Sequence, residues 1–262
     1  MILDDIIQAV RQRVEADKTH NLLQEMKEQA LAITSYGEFP FENVLSAAEM
    51  SFICEVKKAS PSKGLIAPDF PYLAIAEEYE KAGAAAISVL TERDYFKGSP
   101  QYLQHIAETV SVPIIRKDFI IDAYQIYEAK VLGASAILLI CAVLDDETLC
   151  SFFSLADRLG LSVLVEAHDE AEIDRALRCG ARIIGVNNRN LKDFTVSLDT
   201  SCRLRRLVPQ NVLFVAESGI KTAEDIRRLK TYGVNAVLIG ETLMRSRNKK
   251  EMLQELQGGS YD

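Results

Sequence analysis

No stretch of the chain approaches the ~20 consecutive apolar residues of a membrane span, and Asp4, Asp5 and Gln8 interrupt any apolar run of the kind a secretory leader needs. Basic residues are in deficit: 30 Lys and Arg face 38 Asp and Glu, a formal net charge of −8. Binding a phosphate backbone requires a basic face, so a nucleic-acid partner is not expected. Cysteine and histidine are sparse and scattered. Cys54, Cys141, Cys150, Cys179 and Cys202 contain no C-x-x-C pair, and His20, His105 and His168 form no cluster with them, which argues against a zinc or redox centre. An odd number of widely spaced cysteines points to buried free thiols in a reducing compartment, so a cytoplasmic location is expected. A Gly-x-Gly-x-x-Gly turn is missing, and no Gly-, Pro- or Ser-rich linker divides the chain.

What is present is the balance of a compact fold, 48% apolar and 26% charged residues. Eight short apolar runs recur: Phe52–Val56, Ala85–Leu90, Val112–Ile115, Ala136–Ile140, Val163–Val165, Ile183–Val186, Val212–Ala216 and Ala236–Ile239. Each is followed by a turn and a segment of helical period, such as Tyr72–Ala82 or Thr222–Lys230. Runs apolar on both faces read as parallel strands covered by helices. Eight alternations in 262 residues predict a (β/α)8 TIM barrel, a fold of about 250 residues. Gly83, Gly133, Gly180 and Gly233 support the count: each ends a helix before an even-numbered run, at intervals of about 50 residues, or two βα units. The first residues do not fit the repeat. Ile6, Ile7, Val10 and Val14 suggest an amphipathic helix, with a second around Leu22–Ile33. Residues 1–48 are therefore read as a helical extension packed on a catalytic barrel of residues 49–262, within one structural domain.

Barrel chemistry sits at the C-terminal ends of the strands. Those ends carry Glu55 and Lys57, Thr91-Glu92, Arg116-Lys117-Asp118, Glu166, Asn187-Asn188-Arg189, Glu217-Ser218-Gly219 and Gly240-Glu241. So many ionisable groups on one rim point to a single site for a small anion. Alternation along a strand makes Glu55 and Lys57 face the same way, as do Lys117 and Phe119, and Asn187 and Arg189. Ala216–Ile220 and Leu238–Met244 each lead small residues into a helix start, which suits a phosphate after the last two strands. The loop Lys57–Gly64 adds three lysines and two serines and is expected to close as a lid. Lys117, hemmed in by Lys57 and Arg116, is expected to have a lowered pKa.

The segment from Glu55 to Gly64 (Glu-Val-Lys-Lys-Ala-Ser-Pro-Ser-Lys-Gly) closely resembles the first-strand signature of the indole-3-glycerol-phosphate synthases. The similarity continues through Ser88–Glu92, Arg116–Phe119, Leu164–His168, Gly185–Leu191 and Ala216–Ile220, in family order. The resemblance implies ring closure of 1-(2-carboxyphenylamino)-1-deoxyribulose 5-phosphate to indole-3-glycerol phosphate, with loss of carbon dioxide and water and with no metal or organic cofactor. It implies Lys117 as the acid on the ketone and Glu166 as the base, with Lys57 positioned by Glu55 at the substrate carboxylate, phosphate or departing hydroxyl. Asn187 and Glu217 would hold sugar hydroxyls and Arg189 the anthranilate carboxylate, while Phe119 with Tyr95 or Phe96 would wall the aromatic ring. Ser60, Ser218, Gly219 and Gly240 would bind phosphate, with Glu241 offering only its N–H and turning its carboxylate away. The partner expected is this small sugar phosphate, with no nucleic acid or membrane, and the chain acting as a monomer or weak homodimer. Two rivals differ in their needs. A phosphoribosylanthranilate isomerase would use a Cys and Asp pair, yet Cys54 faces opposite to Glu55 and Lys57. A phosphate-binding barrel that senses a metabolite without catalysis could shed Lys117 and Glu166, and both are present.

Overall fold

A computed structural model of the protein describes residues 2–34, 38–190 and 194–258. Three helices come first, α1 (Ile2–His20), α2 (Leu23–Ala32) and α3 (Pro40–Leu45). The strands are β1 (Ser51–Val56), the short pair β2 (Ala59–Ser60) and β3 (Gly64–Leu65), then β4 (Ala86–Leu90), β5 (Ile114–Lys117), β6 (Ala136–Ile140), β7 (Ser162–Ala167), β8 (Ile183–Asn187), β9 (Leu213–Glu217) and β10 (Ala236–Ile239). Helices α4 (Tyr72–Lys81), α5 (Pro100–Thr109), α6 (Ala123–Val131), α7 (Asp146–Arg158), α8 (Glu170–Arg178), α9 (Asp199–Leu204), α10 (Ala223–Thr231), α11 (Glu241–Arg245) and α12 (Lys249–Leu256) follow in turn. Eight parallel strands close into a barrel in the order β1-β10-β9-β8-β7-β6-β5-β4, the last joining back to β1. The fold is the (β/α)8 barrel that the eight runs predict.

Local chemistry explains why each strand gives way to a helix. Ser99, Asp122, Asp145, Asp169 and Thr222 stand at helix starts, and each side chain accepts a hydrogen bond from a backbone N–H of the first turn. Such a cap satisfies an otherwise orphaned donor and contributes about 1 kcal/mol. At the other end, Gly83, Gly133, Gly180 and Gly233 all have positive φ, between 78° and 93°. That left-handed turn carries the chain from helix to strand, and a side chain there would strain it.

Two apolar layers result. Ile53, Ile115, Leu164, Ile183 and Val215 fill the barrel interior, where Phe41 and Leu45 of α3 join them. Helix α3, which the sequence reading passed over, belongs to this inner core, and Arg182 holds it with two hydrogen bonds to Glu42 of 2.8 and 2.9 Å. The outer layer lies between strands and helices and takes in Ile6, Val10 and Val14 of α1 with Met26 and Ala30 of α2. Arg13 ties α1 to the barrel rim, donating to both carboxylate oxygens of Asp118 at 3.1 Å.

One expectation needs correction. Cys150 of α7 and Cys179 at the end of α8 form a disulfide, with Cα atoms 4.8 Å apart, whereas Cys54, Cys141 and Cys202 are free and buried. The odd count is thus one pair and three thiols. Cysteines 29 positions apart gave no local signal, because only the side-by-side packing of successive barrel helices brings them together.

Candidate active site

A cavity of about 1130 Å³ opens at the C-terminal mouth of the barrel. The strand ends deliver its polar lining: Glu55 with Lys57, Lys117 with Phe119, and Asn187 with Arg189 all line it, each pair on a shared face although Lys57, Phe119 and Arg189 lie just past the strand ends. At its floor Lys117 is pinned between two carboxylates, 3.3 Å from Glu166 Oε2 and 3.2 Å from Glu217 Oε2. Glu166 also accepts a 3.4 Å hydrogen bond from Asn187 Nδ2, and Lys57 is ion-paired with Glu55. Glu55, Glu166 and Glu217 are all at most 4% exposed. Buried carboxylates at this density require buried cations, and the two lysines supply them.

Two glycines make room for this cluster. A Cβ at Gly240 would lie 2.3 Å from Glu55 Oε1 and 2.8 Å from Lys57 Nζ, and one at Gly185 would lie 2.3 Å from Glu217 Oε1. Gly240 therefore has a second role, clearing the Glu55–Lys57 pair, in addition to its place in the expected phosphate loop.

The cluster sets its own protonation. Burial alone would pull the Lys117 ammonium down, but Glu217, Glu166 and Glu55 outweigh it and hold the pKa well above the ordinary lysine value. The expected lowering is thus reversed. Arg116 does not crowd Lys117: it turns to the outside of the barrel, bonded to Thr91, Asp118 and the Gln125 carbonyl at 2.9–3.1 Å. Burial pushes Glu166 up, yet Lys117 and His168 more than offset this and bring it to about 2. Burial also pushes Glu217 up, and with Glu166 and Glu55 nearby the attraction of Lys117 leaves it raised, at about 7.

The apolar wall lies beside the charges. Phe96 and Phe119 line the cavity with ring centroids 6.1 Å apart, joined by Leu138 and Ile140 of β6 and by Ile2, Leu3 and Ile6 of α1. Tyr95 is not brought there; it packs into the outer layer instead. The loop that carries both aromatics is shaped by Glu92, whose buried carboxylate accepts from the N–H groups of Asp94, Tyr95 and Phe96 at 2.8–2.9 Å. Sequence reasoning placed Glu92 on the rim without seeing that it organises the backbone. It also missed Ile2, Leu3 and Ile6, for which the amphipathic pattern of α1 was the available signal.

Ser60, Ser218, Gly219, Gly240 and Glu241 all line the opposite side of the cavity. Ser218 and Gly219 have consecutive positive φ values of 67° and 82°, a left-handed turn directly after β9 that brings both residues to the cavity. Asn188 fixes this turn, donating to the Ser218 carbonyl at 3.1 Å while its own Oδ1 accepts from Ser201. The tip of the β2–β3 hairpin, Pro61 to Lys63, borders the same space. Glu241 does not turn away. Its carboxylate stands in the lining, 3.6 Å from Lys63, 3.1 Å from Arg245 and 4.0 Å from Arg189, and these cations offset its repulsion of an anion.

The family model for indole-3-glycerol phosphate synthase matches residues 3–256. An indole-3-glycerol phosphate synthase of Ruminiclostridium cellulolyticum is 54% identical over 260 residues, covering 99% of this chain and 100% of its own. One of Endomicrobium trichonymphae is 57% identical over 256 residues, covering 98% and 99%. Among solved structures, 3-hexulose-6-phosphate synthase of Salmonella typhimurium superposes with a TM-score of 0.65 at 14% identity, over 80% of this chain and 97% of that one, a likeness of fold alone.

Proposed function

The chain belongs to the indole-3-glycerol phosphate synthase family, and from that premise we propose how its cavity carries out the reaction. The enzyme is a carboxy-lyase of tryptophan biosynthesis that closes 1-(2-carboxyphenylamino)-1-deoxyribulose 5-phosphate to indole-3-glycerol phosphate, releasing carbon dioxide and water. The observation that carries our assignment of roles is the lodging of Lys117 between Glu166 and Glu217, beside the Phe96–Phe119 wall.

Attack by the carboxylate-bearing ring carbon on the ketone develops negative charge on its oxygen. Lys117 stays protonated at neutral pH and donates to that oxygen. Its raised pKa is no obstacle, because an alkoxide is about as basic as hydroxide, the conjugate base of water with a pKa of 15.7. Fixing the ammonium between two carboxylates removes the reorganisation that solvent would need to stabilise the same charge. Phe119 and Phe96 stack the anthranilate ring close to the ketone, which supplies the proximity that ring closure needs. Loss of carbon dioxide then restores the aromatic ring. Glu166, ionised by Lys117 and His168, takes the proton removed before dehydration. Lys57, held by Glu55, serves the substrate carboxylate or the departing hydroxyl, and Arg189 positions the carboxylate from the rim. Glu217 and Asn187 hold sugar hydroxyls. Ser60, Ser218, Gly219, Gly240 and the N–H of Glu241 bind phosphate.

We further read residues 1–48 and 49–262 as one domain, since α1 contributes wall to the same cavity, and we take the enzyme to work in the cytoplasm as a monomer or weak homodimer. Among the described residues no helix is long and apolar enough to cross a membrane. A metabolite sensor gives no reason to bury three carboxylates around Lys117. Supplying the carboxyphenylamino-deoxyribulose phosphate and following indole fluorescence tests the reading: product from the wild type and a rate roughly 100- to 10,000-fold lower from Lys117→Ala is the expected result.

A further inference from the structure

His168 lies directly beyond β7, and no step described so far uses it. Its ring is held between two carboxylates from different elements. Nε2 stands 3.3 Å from Glu166 Oε1, the oxygen not taken by Lys117, and Nδ1 stands 3.1 Å from Glu172 Oε2 in the first turn of α8. Glu172 is itself fixed, because it also accepts the backbone N–H of His168 at 2.7 Å. Nδ1 has hydrogen-bond geometry to Glu172, whereas Nε2 meets Glu166 at ion-pair distance without it; a neutral imidazole carries one N–H and no charge, so only an imidazolium is attracted to both carboxylates. We propose that His168 is a positioning residue: an imidazolium clamped by Glu172 that holds the Glu166 carboxylate ionised and in place, opposite Lys117.

Every neighbouring charge fits this reading. Around Glu166, Lys117 of β5 occupies Oε2, and Asn187 of β8 donates to Oε1, the oxygen that also faces His168. From α8, Arg175 is directed away to Asp146 and to the Cys141 and Leu144 carbonyls. Cys141, after β6, has its thiol on the Glu172 carbonyl, and burial pushes its pKa up to about 12, so it brings no charge. Burial alone would lower the His168 pKa, but its close contacts with Glu166 and Glu172 prevail and raise it to about 10. The chain thus surrounds Glu166 with two cations, one catalytic and one not. Their joint effect is to keep the base free of a proton to low pH.

This inference rests on Glu166 being the base, so its test has one arm that does not depend on turnover. In the intact protein with labelled histidine, NMR would follow the three rings from acid to alkaline pH, the His168 signals being assigned by their loss in His168→Gln. The expected result is a His168 ring still protonated above pH ~8, while a midpoint near the ordinary value of about 6.5 overturns the proposal. In the second arm the pH profile of kcat is compared for the wild type, His168→Gln and Glu172→Gln, with folding checked by thermal melts. Removing a cation this close to a carboxylate shifts its pKa by roughly 1–3 units. The acid limb should therefore move up by about one unit or more in His168→Gln, and less in Glu172→Gln, with KM little changed. A limb that stays put in a folded variant, or an equal loss of kcat at every pH, would leave His168 a structural residue only. If His168→Gln does not fold, Glu172→Gln and the wild-type titration decide the matter. A wild type that forms no indole would instead count against Glu166 as base, and the NMR arm would still report on His168.

Discussion

A buried ammonium flanked by two carboxylates differs from an isolated one, and the difference governs what mutation and pH should do. Replacing Lys117 by Ala removes the proton donor and leaves the aromatic and phosphate contacts. The expected loss in kcat is roughly 100- to 10,000-fold, the range for a general acid, with KM within a few-fold of the wild type; steady-state kinetics would check this. Glu217 offers a pH prediction. Its folded pKa, about 7, lies above the ordinary 4.5, so the folded state holds this proton more tightly than the unfolded one. That contribution to stability is complete below 4.5 and is lost as pH rises through 7. Glu217→Gln keeps the neutral form, so its Tm should gain on the wild type more at pH ~8 than at pH ~5. Equal differences at both pH values would contradict the assignment. Strand-end position put Glu55, Lys57, Lys117 and Asn187 on the rim, and alternation told only which residues share a face. The same alternation, applied to Arg116, would have turned it outward and removed the argument for a lowered Lys117 pKa. Charge environment was harder to read, because Glu166 and Glu217 reach Lys117 from strands far away in sequence.

Elements fix where these groups stand, and two kinds of glycine separate that role from simple foldability. Gly83 needs its left-handed turn but has open space around it. Gly83→Ala should therefore cost about 1 kcal/mol in urea melts and leave kcat unchanged. Gly240→Ala sets a methyl against Glu55 and Lys57, so kcat should fall by tenfold or more while the loss of stability stays modest. The repeat of glycine and apolar run made the first class visible in the sequence. The second class was visible only as a candidate for phosphate, since its closest neighbours, Glu55 and Lys57, lie on and just after β1. Between α7 and α8 the Cys150–Cys179 link closes a loop of 29 positions. Loop-closure entropy then gives roughly 3–4 kcal/mol, so reductant should lower the Tm measured by calorimetry without altering KM. Helix α3 escaped notice because six residues are too few to show a helical period.

At the scale of the whole molecule, the barrel alone does not complete the site. Helix α1 brings Ile2, Leu3 and Ile6 to the cavity, and Arg13 anchors it through Asp118, the neighbour of both Lys117 and Phe119. Arg13→Ala should loosen this wall, raising KM more than it lowers kcat, while Arg116 and Thr91 continue to satisfy Asp118. Eight strands, their closure and the end that carries chemistry could all be read from apolar runs and rim charges. The seating of the N-terminal helix could not, because a buried Arg–Asp contact between residues 105 positions apart has no local pattern. The claim on which everything depends is that Lys117 is the acid of ring closure. It is tested most directly by giving wild type and Lys117→Ala the carboxyphenylamino-deoxyribulose phosphate and recording indole fluorescence. Emission that grows at least ~100-fold more slowly in the variant, folded and still binding substrate, is the predicted result; comparable emission from both would contradict it and pass the role to Lys57.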